Sequence, residues 1–396
     1  MKKAIVIGGG IAGCSTAFAL SRRGISTTII ERHHALAQEG SGNPIAMLYP
    51  KFSTKPDFAS QLALLGFQFT LSLLKQLPVS NAIFNACGLI QLAFDAREQV
   101  RQQAILQLED LALFQYLDTQ AASEIAGISL KTGGLYLPQA GWVKPKDWCE
   151  WLCSPPLITT STSTNALKIE KKLNQWLVID DKNIAFEADT VVICNANDIK
   201  QFKPCSSAEI TPVRGQVNFF AQNSYSRQMK TIICSDHYLS PSVDGIHSIG
   251  TTYAPNDTNP MLSEADTREN MNALNSISPE LSKYLSADIA YGRVGWRSQT
   301  LDYMPLAGQL LDEQVLRTKP PRYNANPADL PWLAGLYVNA GHGSKGMITA
   351  PICGELIASS ITSNDAPIDE KLASKLNPSR FLLRELGLKQ LANSLL

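Results

Sequence analysis

The chain has 396 residues, of which 44% are hydrophobic and 18% are charged, and its formal net charge is zero. This composition is typical of a globular protein with room for two domains, and it excludes a disordered chain. Zero net charge gives no support to a nucleic-acid partner, although a local basic patch is compatible with it. The eight cysteines are scattered without a CxxC pair, and no apolar stretch approaches transmembrane length. We therefore expect reduced thiols in a soluble, cytoplasmic protein.

The chain begins with a predicted strand–helix–strand unit. The apolar run 3–7 predicts a buried parallel strand, and the glycine-rich segment 8–13 predicts the turn that follows it. Residues 12–23 predict a helix and residues 26–31 a second strand. The unit ends in an acidic residue, Glu31.

The remainder of the chain alternates between helical and strand patterns. A polar, proline-rich stretch over 317–328 predicts a loop. The predicted helices cover 60–77, 95–113, 144–152, 267–275 and 347–360. The predicted strands cover 87–94, 133–138, 166–171, 175–180, 184–187, 190–195, 213–221, 230–240, 246–251 and 336–340.

This order of elements predicts a mixed fold of the α/β and α+β classes. The strand–helix–strand start and the strand–turn–helix end predict a Rossmann-type cofactor domain built from both ends of the chain. The antiparallel strands in the middle predict a substrate domain interleaved with it. The predicted boundaries are 1–85, 143–210 and 302–396 for the cofactor domain, and 86–142 and 211–301 for the substrate domain.

The first glycine turn fits the pattern G-x-G-x-x-G between a strand and a helix. In this context Gly8 permits the tight turn, Gly10 lets a pyrophosphate approach the backbone, and Gly13 lets the helix pack on the strand. The free N–H groups at the start of the helix favour phosphate. Glu31 lies close to the spacing of roughly 20 residues expected for the acid that binds ribose. The motif predicts a dinucleotide and by itself leaves FAD and NAD as alternatives.

A second glycine-rich turn lies within 337–346, between a predicted strand and a predicted helix. Such a helix directs its positive N-terminus at a flavin ring and stabilises the reduced, anionic form, so this turn favours FAD. The alternative is a glycine-rich loop before a packing helix. We interpret His342 as a turn histidine with a satisfied side chain, because a single histidine without a partner has no catalytic geometry.

Two arginines, Arg293 and Arg297, flank a short segment within 292–305. A guanidinium binds a carboxylate through two parallel hydrogen bonds, so each is a candidate anchor for an acidic substrate. The alternative is that both are surface arginines.

The sequence resembles the D-amino-acid-oxidase-like flavoproteins, the class that includes glycine oxidase and sarcosine oxidase. Within that class it is most similar to the oxidoreductase half of bifunctional enzymes that modify tRNA. The motifs that carry the resemblance span most of the chain in the family's order. They are Gly40-Ser41-Gly42-Asn43, Leu48-Tyr49-Pro50-Lys51, Thr211-Pro212-Val213-Arg214-Gly215-Gln216 and the stretches 292–305 and 337–346.

The resemblance implies FAD-dependent oxidation of 5-carboxymethylaminomethyl-(2-thio)uridine at the wobble position of tRNA. Hydride would leave the glycine carbon for the flavin, and the imine would hydrolyse to 5-aminomethyl-(2-thio)uridine and glyoxylate. Oxygen is the expected electron acceptor. Sarcosine oxidases of this class hold their flavin on a cysteine near the C-terminal turn. Because the segment 341–346 has no cysteine, we expect noncovalent FAD.

The resemblance also implies which residues form the site. Arg297 matches the position that holds the substrate carboxylate, and Lys345 is a second catalytic candidate near the flavin. We expect a basic rim to contact tRNA, and its candidates are Lys51, Lys55, Lys144, Lys146 and Lys345. The expected FAD contacts are Gly8, Gly10, Ile11, Ala12, Gly13, Glu31, Arg32, Ser41, Gly42, Asn43, Ala196, Gly341, His342, Gly343, Ser344, Lys345 and Gly346.

In the bifunctional enzymes a methyltransferase precedes this half. Because Met1 lies directly before the first strand, we expect a stand-alone oxidoreductase or one half of a split pair, with a separate methyltransferase as a partner. Neither a metal nor a membrane partner is expected. Two alternatives stay open. One is an oxidase of a free small amino acid of the glycine or sarcosine type, and the other is a flavin-binding protein without turnover.

Overall fold

A computed structural model describes residues 2–55, 57–78, 82–107, 113–285 and 291–395. The helices are α1 (Ile11–Ser21), α2 (Phe58–Leu74), α3 (Ala96–Leu106), α4 (Thr119–Ala126), α5 (Pro145–Leu152), α6 (Glu264–Ile277), α7 (Pro279–Tyr284), α8 (Glu313–Thr318), α9 (Gly346–Thr362), α10 (Glu370–Leu376), α11 (Arg380–Glu385) and α12 (Lys389–Ala392).

The strands are mostly short, and four of them are buried over their full length. They are β1 (Lys3–Ile7), β2 (Ser26–Ile30), β3 (Ala46–Leu48), β4 (Phe84–Asn85), β5 (Leu89–Leu92), β6 (Gln115–Leu117), β7 (Gly134–Leu137), β8 (Gly141–Val143), β9 (Ile158–Ser161), β10 (Ala166–Lys172), β11 (Gln175–Asp180), β12 (Ala185–Ala188), β13 (Thr190–Ile193), β14 (Ile210–Ala221), β15 (Ile232–Cys234), β16 (Tyr238–Leu239), β17 (Ile246–Gly250), β18 (Ala254–Pro255), β19 (Tyr291–Thr300), β20 (Leu306–Leu311) and β21 (Trp332–Ala340).

The first sheet has the strand order β20-β21-β13-β1-β2-β9, and its strands are parallel except for β20. Its central strands β1 and β13 are rich in valine and isoleucine, as expected where both faces of a sheet are covered. The register pairs Ile7 with Ile193 and Ile193 with Val338. The segments that follow β1, β13 and β21 therefore leave the sheet at the same edge.

Helices α1 and α9 pack on this sheet, α2 packs on α9, and glycines let the three helices approach one another closely. A Cβ on Gly354 of α9 would lie 3.0 Å from the backbone of Thr16 in α1. A Cβ on Gly66 of α2 would collide with the carbonyl oxygen of Ile348 in α9. The N-termini of α1 and α9 are thereby fixed next to the sheet edge at which the two glycine turns lie.

The second large sheet has the strand order β18-β14-β17-β16-β15-β5-β7-β6, and β19 also pairs with β14. Strands β14 and β19 pair along ten positions, from Ile210 opposite Thr300 to Phe219 opposite Tyr291. Helices α6 and α7 contribute Leu274, Ile277 and Leu281 to the core on this sheet. Two smaller sheets, β10-β11-β12 and β3-β8-β4, complete the arrangement.

The mixed fold class predicted from the sequence is confirmed. The domain boundaries stay a proposal. The strands of the first sheet fall within 1–85, 143–210 and 302–396, and those of the second sheet fall almost entirely within 86–142 and 211–301, which is compatible with that division.

Three element predictions are wrong in detail. The predicted strand 230–240 is two strands, β15 and β16, because Ser235 donates its backbone N–H to the carbonyl of His237 at 2.7 Å and turns the chain back. The predicted loop 317–328 begins inside α8, which Asp312 caps by accepting from the backbone N–H of Val315. The helix predicted over 95–113 ends at Leu106, and residues 108–112 lie outside the described residues.

Among the described residues, no helix combines the length and the apolar character needed to cross a membrane.

We predict that Gly66→Ala destabilises the protein. Alanine in a helix is normally favoured over glycine by about 1 kcal/mol, but here the new methyl group meets the backbone of α9. Overpacking of this kind costs about 1–3 kcal/mol, so the free energy of unfolding should fall. Denaturant unfolding measures the change. Gln68→Ala, on the exposed face of the same helix, is the control and should stay within about 0.5 kcal/mol of the parent. A raised midpoint for Gly66→Ala would contradict the packing described.

Candidate active site

A cavity of about 650 Å³ lies at the edge where β1, β13 and β21 end. The first sheet contributes both glycine turns to its lining. The second sheet and its connections contribute Tyr238, Thr251, Tyr253 and Arg297. The fold thus brings the dinucleotide turn, the C-terminal turn and an arginine far apart in sequence to one place.

The first glycine turn is tightly packed at Gly8 and Gly13 but open at Gly10. Gly8 has a φ of +106°, and a Cβ there would lie 2.7 Å from the carbonyl oxygen of Cys194. A Cβ on Gly13 would collide with the carbonyl oxygen of Gly8, so only glycine lets α1 pack this closely. At Gly10 the nearest atom would be Ser41 Oγ at 3.5 Å, an ordinary contact. The space beside Gly10 belongs to the cavity.

The N-terminus of α1 presents a positive end to the cavity. Gly10 is the N-cap residue and has no side chain with which to cap the helix, and the first turn contains no acidic residue. The backbone N–H of Ile11 donates to Ser41 Oγ at 3.1 Å. The helix dipole and the N–H groups of this turn suit an anion such as pyrophosphate.

Glu31 is buried, with 6% of its surface exposed, and it closes the turn. Its Oε2 accepts from the backbone N–H of Gly9 at 2.6 Å, and its Oε1 accepts from that of His33 at 2.8 Å. Each carboxylate oxygen retains acceptor capacity, and Glu31 lines the cavity. Its predicted role as the ribose-binding acid stays a prediction.

Arg32 lies beside Glu31 in the cavity wall and is held by two carboxylates. Its guanidinium donates to Glu39 at 2.7 Å and to Asp198 at 2.8 Å. These exposed pairs position the side chain more than they stabilise the fold.

Arg293 anchors the loop that carries Ser41 and Asn43. Its guanidinium donates to Asn43 Oδ1 at 2.8 Å and to the carbonyl oxygens of Gln38 at 3.0 Å and Glu39 at 2.6 Å. A Cβ on Gly42 would strike the same guanidinium, which explains the glycine at that position. The guanidinium of Arg293 thus binds the loop, and Arg293 is not among the cavity-lining residues of the described chain.

The second glycine turn ends β21 with two left-handed residues, Gly341 at a φ of +74° and Gly343 at +56°. A 3₁₀ turn over Gly343–Lys345 then leads into α9 at Gly346. Helix α9 has no side-chain cap and no acid in its first turn. A second positive helix end therefore lies at the cavity.

His342 lines the cavity but has both ring nitrogens engaged. Asn339 donates through its amide nitrogen to Thr16 Oγ1 at 2.9 Å, so its Oδ1 accepts from His342 Nε2 at 2.9 Å. Nδ1 lies 2.9 Å from Thr349 Oγ1. Burial lowers the pKa of His342 to about 3, so the ring is neutral near physiological pH. The residue joins β21 to α9 and is not arranged as a proton carrier.

Arg297 is a partly buried cation that has an unused hydrogen-bond donor among the described residues. Its Nη2 donates to Thr251 Oγ1 and to the carbonyl oxygen of Thr252, the latter at 3.2 Å. Its Nη1 is buried and has no hydrogen-bond partner within the described parts of the chain. Burial lowers the pKa of Arg297, and the nearby Tyr238 and Tyr253 oppose this shift. A buried guanidinium with a free donor is suited to a carboxylate.

Lys345 is partly buried in the same cavity, close to Lys51 and Asp57. Burial lowers the pKa of Lys345. Asp57 opposes that shift, and the like charge of Lys51 adds to it. Lys51 and Lys345 both line the cavity, so they form a local positive region in a chain without net charge.

The other three lysines of the expected basic rim are not in the cavity wall. Lys55 and Lys146 are exposed, and Lys144 forms an ion pair with Asp244 at 2.7 Å. Only Lys51 and Lys345 of the five lie where a substrate in the cavity would meet them.

Most of the predicted site residues line one cavity, and two do not. Gly13 and Gly42 lie behind the wall, where they pack against Gly8 and Arg293. The predicted residues in the wall are Gly8, Gly10, Ile11, Ala12, Glu31, Arg32, Ser41, Asn43, Ala196, Gly341, His342, Gly343, Ser344, Lys345, Gly346 and Arg297.

The sequence analysis missed several residues of the wall. Asn195 and Asn197 line the cavity, and each has a buried Oδ1 without a partner among the described residues. Their position directly after the buried strand β13 was a usable signal, because parallel strands end at one edge. Tyr238 and Tyr253 gave no such signal, since only the pairing of the second sheet brings them to the cavity.

The family model described as DAO, FAD dependent oxidoreductase, matches residues 3–360. A relative from Methylobacillus flagellatus, named tRNA 5-methylaminomethyl-2-thiouridine biosynthesis bifunctional protein MnmC, is 40% identical over 99% of this chain and 61% of its own length. A relative of the same name from Stutzerimonas stutzeri is 36% identical over 97% of this chain and 60% of its own length. The chain thus spans about three fifths of these curated relatives.

Solved structures share the fold. Glycine oxidase from Geobacillus kaustophilus superposes with a TM-score of 0.76 at 20% identity, covering 93% of this chain and 97% of that chain. L-proline dehydrogenase from P. horikoshii superposes with a TM-score of 0.77 at 20% identity, covering 98% of each chain.

The residues of the cavity fit an FAD molecule. The open side of Gly10 leaves room for a pyrophosphate, and two helix N-termini supply positive potential. The unpaired Oδ1 atoms of Asn195 and Asn197 are acceptors for hydroxyl or N–H groups. Cys353 is buried inside α9 and is outside the cavity lining of the described residues, so noncovalent binding remains our prediction.

We predict that Gly10→Val folds but does not retain FAD. The new side chain meets little protein, since only Ser41 Oγ lies near its Cβ position, yet it fills the space beside the turn. The ratio of flavin absorbance to protein should fall to near zero in the purified variant. Circular dichroism and thermal unfolding of the flavin-free parent and variant should agree. Full flavin occupancy in Gly10→Val would contradict the assignment of this turn.

Proposed function

We propose, since the chain belongs to the family of FAD-dependent oxidoreductases, that it oxidises the glycine unit of 5-carboxymethylaminomethyl-(2-thio)uridine at the wobble position of tRNA. The products would be 5-aminomethyl-(2-thio)uridine and glyoxylate, with oxygen reduced to hydrogen peroxide. The observation that carries the proposal is Arg297, a partly buried residue in the wall of the cavity that also contains both glycine turns. Its Nη1 is buried and has no partner among the described residues.

Arg297 is the proposed anchor for the substrate carboxylate. A carboxylate facing Nη1 satisfies a donor that is otherwise buried without a partner among the described residues. It also compensates a positive charge that burial disfavours. Thr251 and Thr252 accept hydrogen bonds from the other side of the guanidinium. The guanidinium is therefore held in position before the substrate binds.

The same positive surroundings act on the substrate amine. Arg297, Lys51 and Lys345 all line the cavity, and nearby positive charge favours the neutral form of an amine. A neutral amine leaves its nitrogen lone pair available, so a strong base is not required. FAD, when bound, supplies the acceptor for the hydride of the glycine carbon.

The tRNA part of the proposal is supported by the relatives and by local charge. Relatives 40% and 36% identical to this chain are named for the biosynthesis of 5-methylaminomethyl-2-thiouridine in tRNA. Lys51, an exposed residue of the cavity wall, is a candidate contact for phosphate next to the wobble nucleoside. Phosphate contacts of this kind are sequence-independent and weaken with salt.

A comparison of substrates tests this function. The FAD-loaded protein is mixed without oxygen with tRNA that carries the carboxymethylaminomethyl group, with sarcosine and with glycine. We expect rapid flavin bleaching by the tRNA, together with glyoxylate and the aminomethyl nucleoside in the digest. Bleaching by glycine or sarcosine alone would identify a small-amino-acid oxidase, and bleaching by none of them would identify a flavin-binding protein without turnover.

We predict that Arg297→Ala lowers kcat/KM for the tRNA by about 30-fold or more. Truncating one partner of a buried, hydrogen-bonded charge pair costs about 2–5 kcal/mol. Arg297→Lys keeps the charge but loses the planar fork, so it should also be impaired. Arg317→Ala, which removes an exposed arginine paired with Glu313 and Glu385, is the control and should be as active as the parent. Parent-like kinetics in Arg297→Ala would assign the carboxylate to another residue.

A further inference from the structure

Tyr253 is an exposed aromatic residue in the wall of a partly buried cavity. It lies in the connection between β17 and β18, lines the cavity, and has 53% of its surface exposed. Tyr238, the other tyrosine beside Arg297, is only partly exposed, and burial raises its pKa. Of the two, Tyr253 is therefore the ring with surface available to a ligand.

Contacts hold the Tyr253 side chain in place although it is exposed. Gln299 Nε2 donates to its hydroxyl at 2.8 Å. The guanidinium carbon of Arg297 lies 5.8 Å from the centre of its ring. The preceding residue, Thr252, is buried and accepts from the backbone N–H of Gln216 through Oγ1 at 3.0 Å. The ring is thus a fixed surface whose ordering is complete before a ligand binds.

The position of Tyr253 relative to Arg297 restricts what it can contact. Arg297 is the more buried of the two, so a substrate whose carboxylate binds Arg297 extends from there along Tyr253 toward the solvent. A free glycine bound to Arg297 is too short to reach the Tyr253 ring. An N-substituted glycine places its substituent beside that ring.

We propose that Tyr253 is the platform on which the pyrimidine of the substrate packs, and that it makes the enzyme selective for a nucleoside-bearing glycine over a small amino acid. The inference rests on the proposed function. Single-stranded RNA bases are commonly bound by stacking on aromatic side chains, and such contacts depend on the ring rather than on hydrogen-bonding groups. Arg297 would then recognise the end of the substrate that every N-substituted glycine shares, and Tyr253 the end that only the nucleoside has.

The test compares two substrates in four proteins. The substrates are 5-carboxymethylaminomethyluridine, as the free nucleoside, and sarcosine. The proteins are the FAD-loaded parent, Tyr253→Ala, Tyr253→Phe and Tyr323→Ala, the last being a control at a tyrosine that is 69% exposed and absent from the cavity lining. Anaerobic flavin reduction gives kcat and KM. Calorimetry with 5-carboxymethyluridine, which lacks the oxidisable amine, gives a Kd without turnover.

We expect Tyr253→Ala to raise the KM for the nucleoside and the Kd for 5-carboxymethyluridine by about tenfold or more, the scale for loss of one stacked base. The KM for sarcosine should change by a much smaller factor, and kcat for the nucleoside should be nearly kept. Tyr253→Phe retains the ring and should behave like the parent, as should Tyr323→Ala.

Equal losses for both substrates in Tyr253→Ala would overturn the inference, because they would mean that the residue acts through Arg297. A loss in Tyr253→Phe as large as in Tyr253→Ala would also overturn it, since the hydroxyl and Gln299 would then be responsible. In both cases the proposed function stands. If the parent is reduced neither by the nucleoside nor by modified tRNA, the proposed function fails and the inference fails with it.

Discussion

The site depends on the convergence of two helix N-termini at one sheet edge. The register of β1, β13 and β21 sends the three following segments out together, and glycines let α1, α2 and α9 approach within backbone contact. In neither α1 nor α9 does the N-cap residue cap the helix with its own side chain, and neither first turn contains an acid. Two positive helix ends crowded into one cavity repel each other, so the arrangement is stabilised by a bound anion. A bound FAD would supply that charge, through its diphosphate at the N-terminus of α1 and through a reduced, anionic flavin at the N-terminus of α9.

Strand β19 links this cofactor region to the substrate. Arg293 and Arg297 are four residues apart, so they lie on the same face of the strand. Gly295 and Gly215 are paired across β19 and β14, and each leaves room for one of the guanidiniums. Arg293 fixes the loop whose Ser41 accepts from the N-terminus of α1. Arg297 lines the cavity, and its Nη1 has no partner among the residues that the structure describes. One strand therefore sets the position of the cofactor loop and of the substrate anchor together.

The features predicted correctly from the sequence are those that local physics determines. The turn 8–13 and the strands around it follow from short-range sterics and apolar runs, and they appear in the structure where they were expected. Strand β19 was not recognised, because its two arginines and two glycines suit contacts with a loop and with β14 rather than an alternating apolar pattern. Tyr253 reaches the cavity only through the pairing of β14 with β18. Such long-range pairing leaves no periodic signal near the residue itself.

The charge of the whole chain and the charge of the site lead to opposite expectations about an anionic polymer. The 35 basic and 35 acidic residues cancel, so there is no long-range attraction to RNA. At the cavity, however, Arg297 and Lys345 are concentrated with two helix ends and the exposed Lys51. Arg297 and Lys345 are partly buried, so water does not screen their charges fully. Attraction that acts only at short range selects for an anion that can enter the cavity. Under the proposed function that anion is the carboxymethylaminomethyl side chain of one extruded nucleoside, and the RNA backbone would stay outside. Recognition of the tRNA would then begin at the modified nucleoside itself, with the basic residues near the opening adding affinity but not defining the substrate.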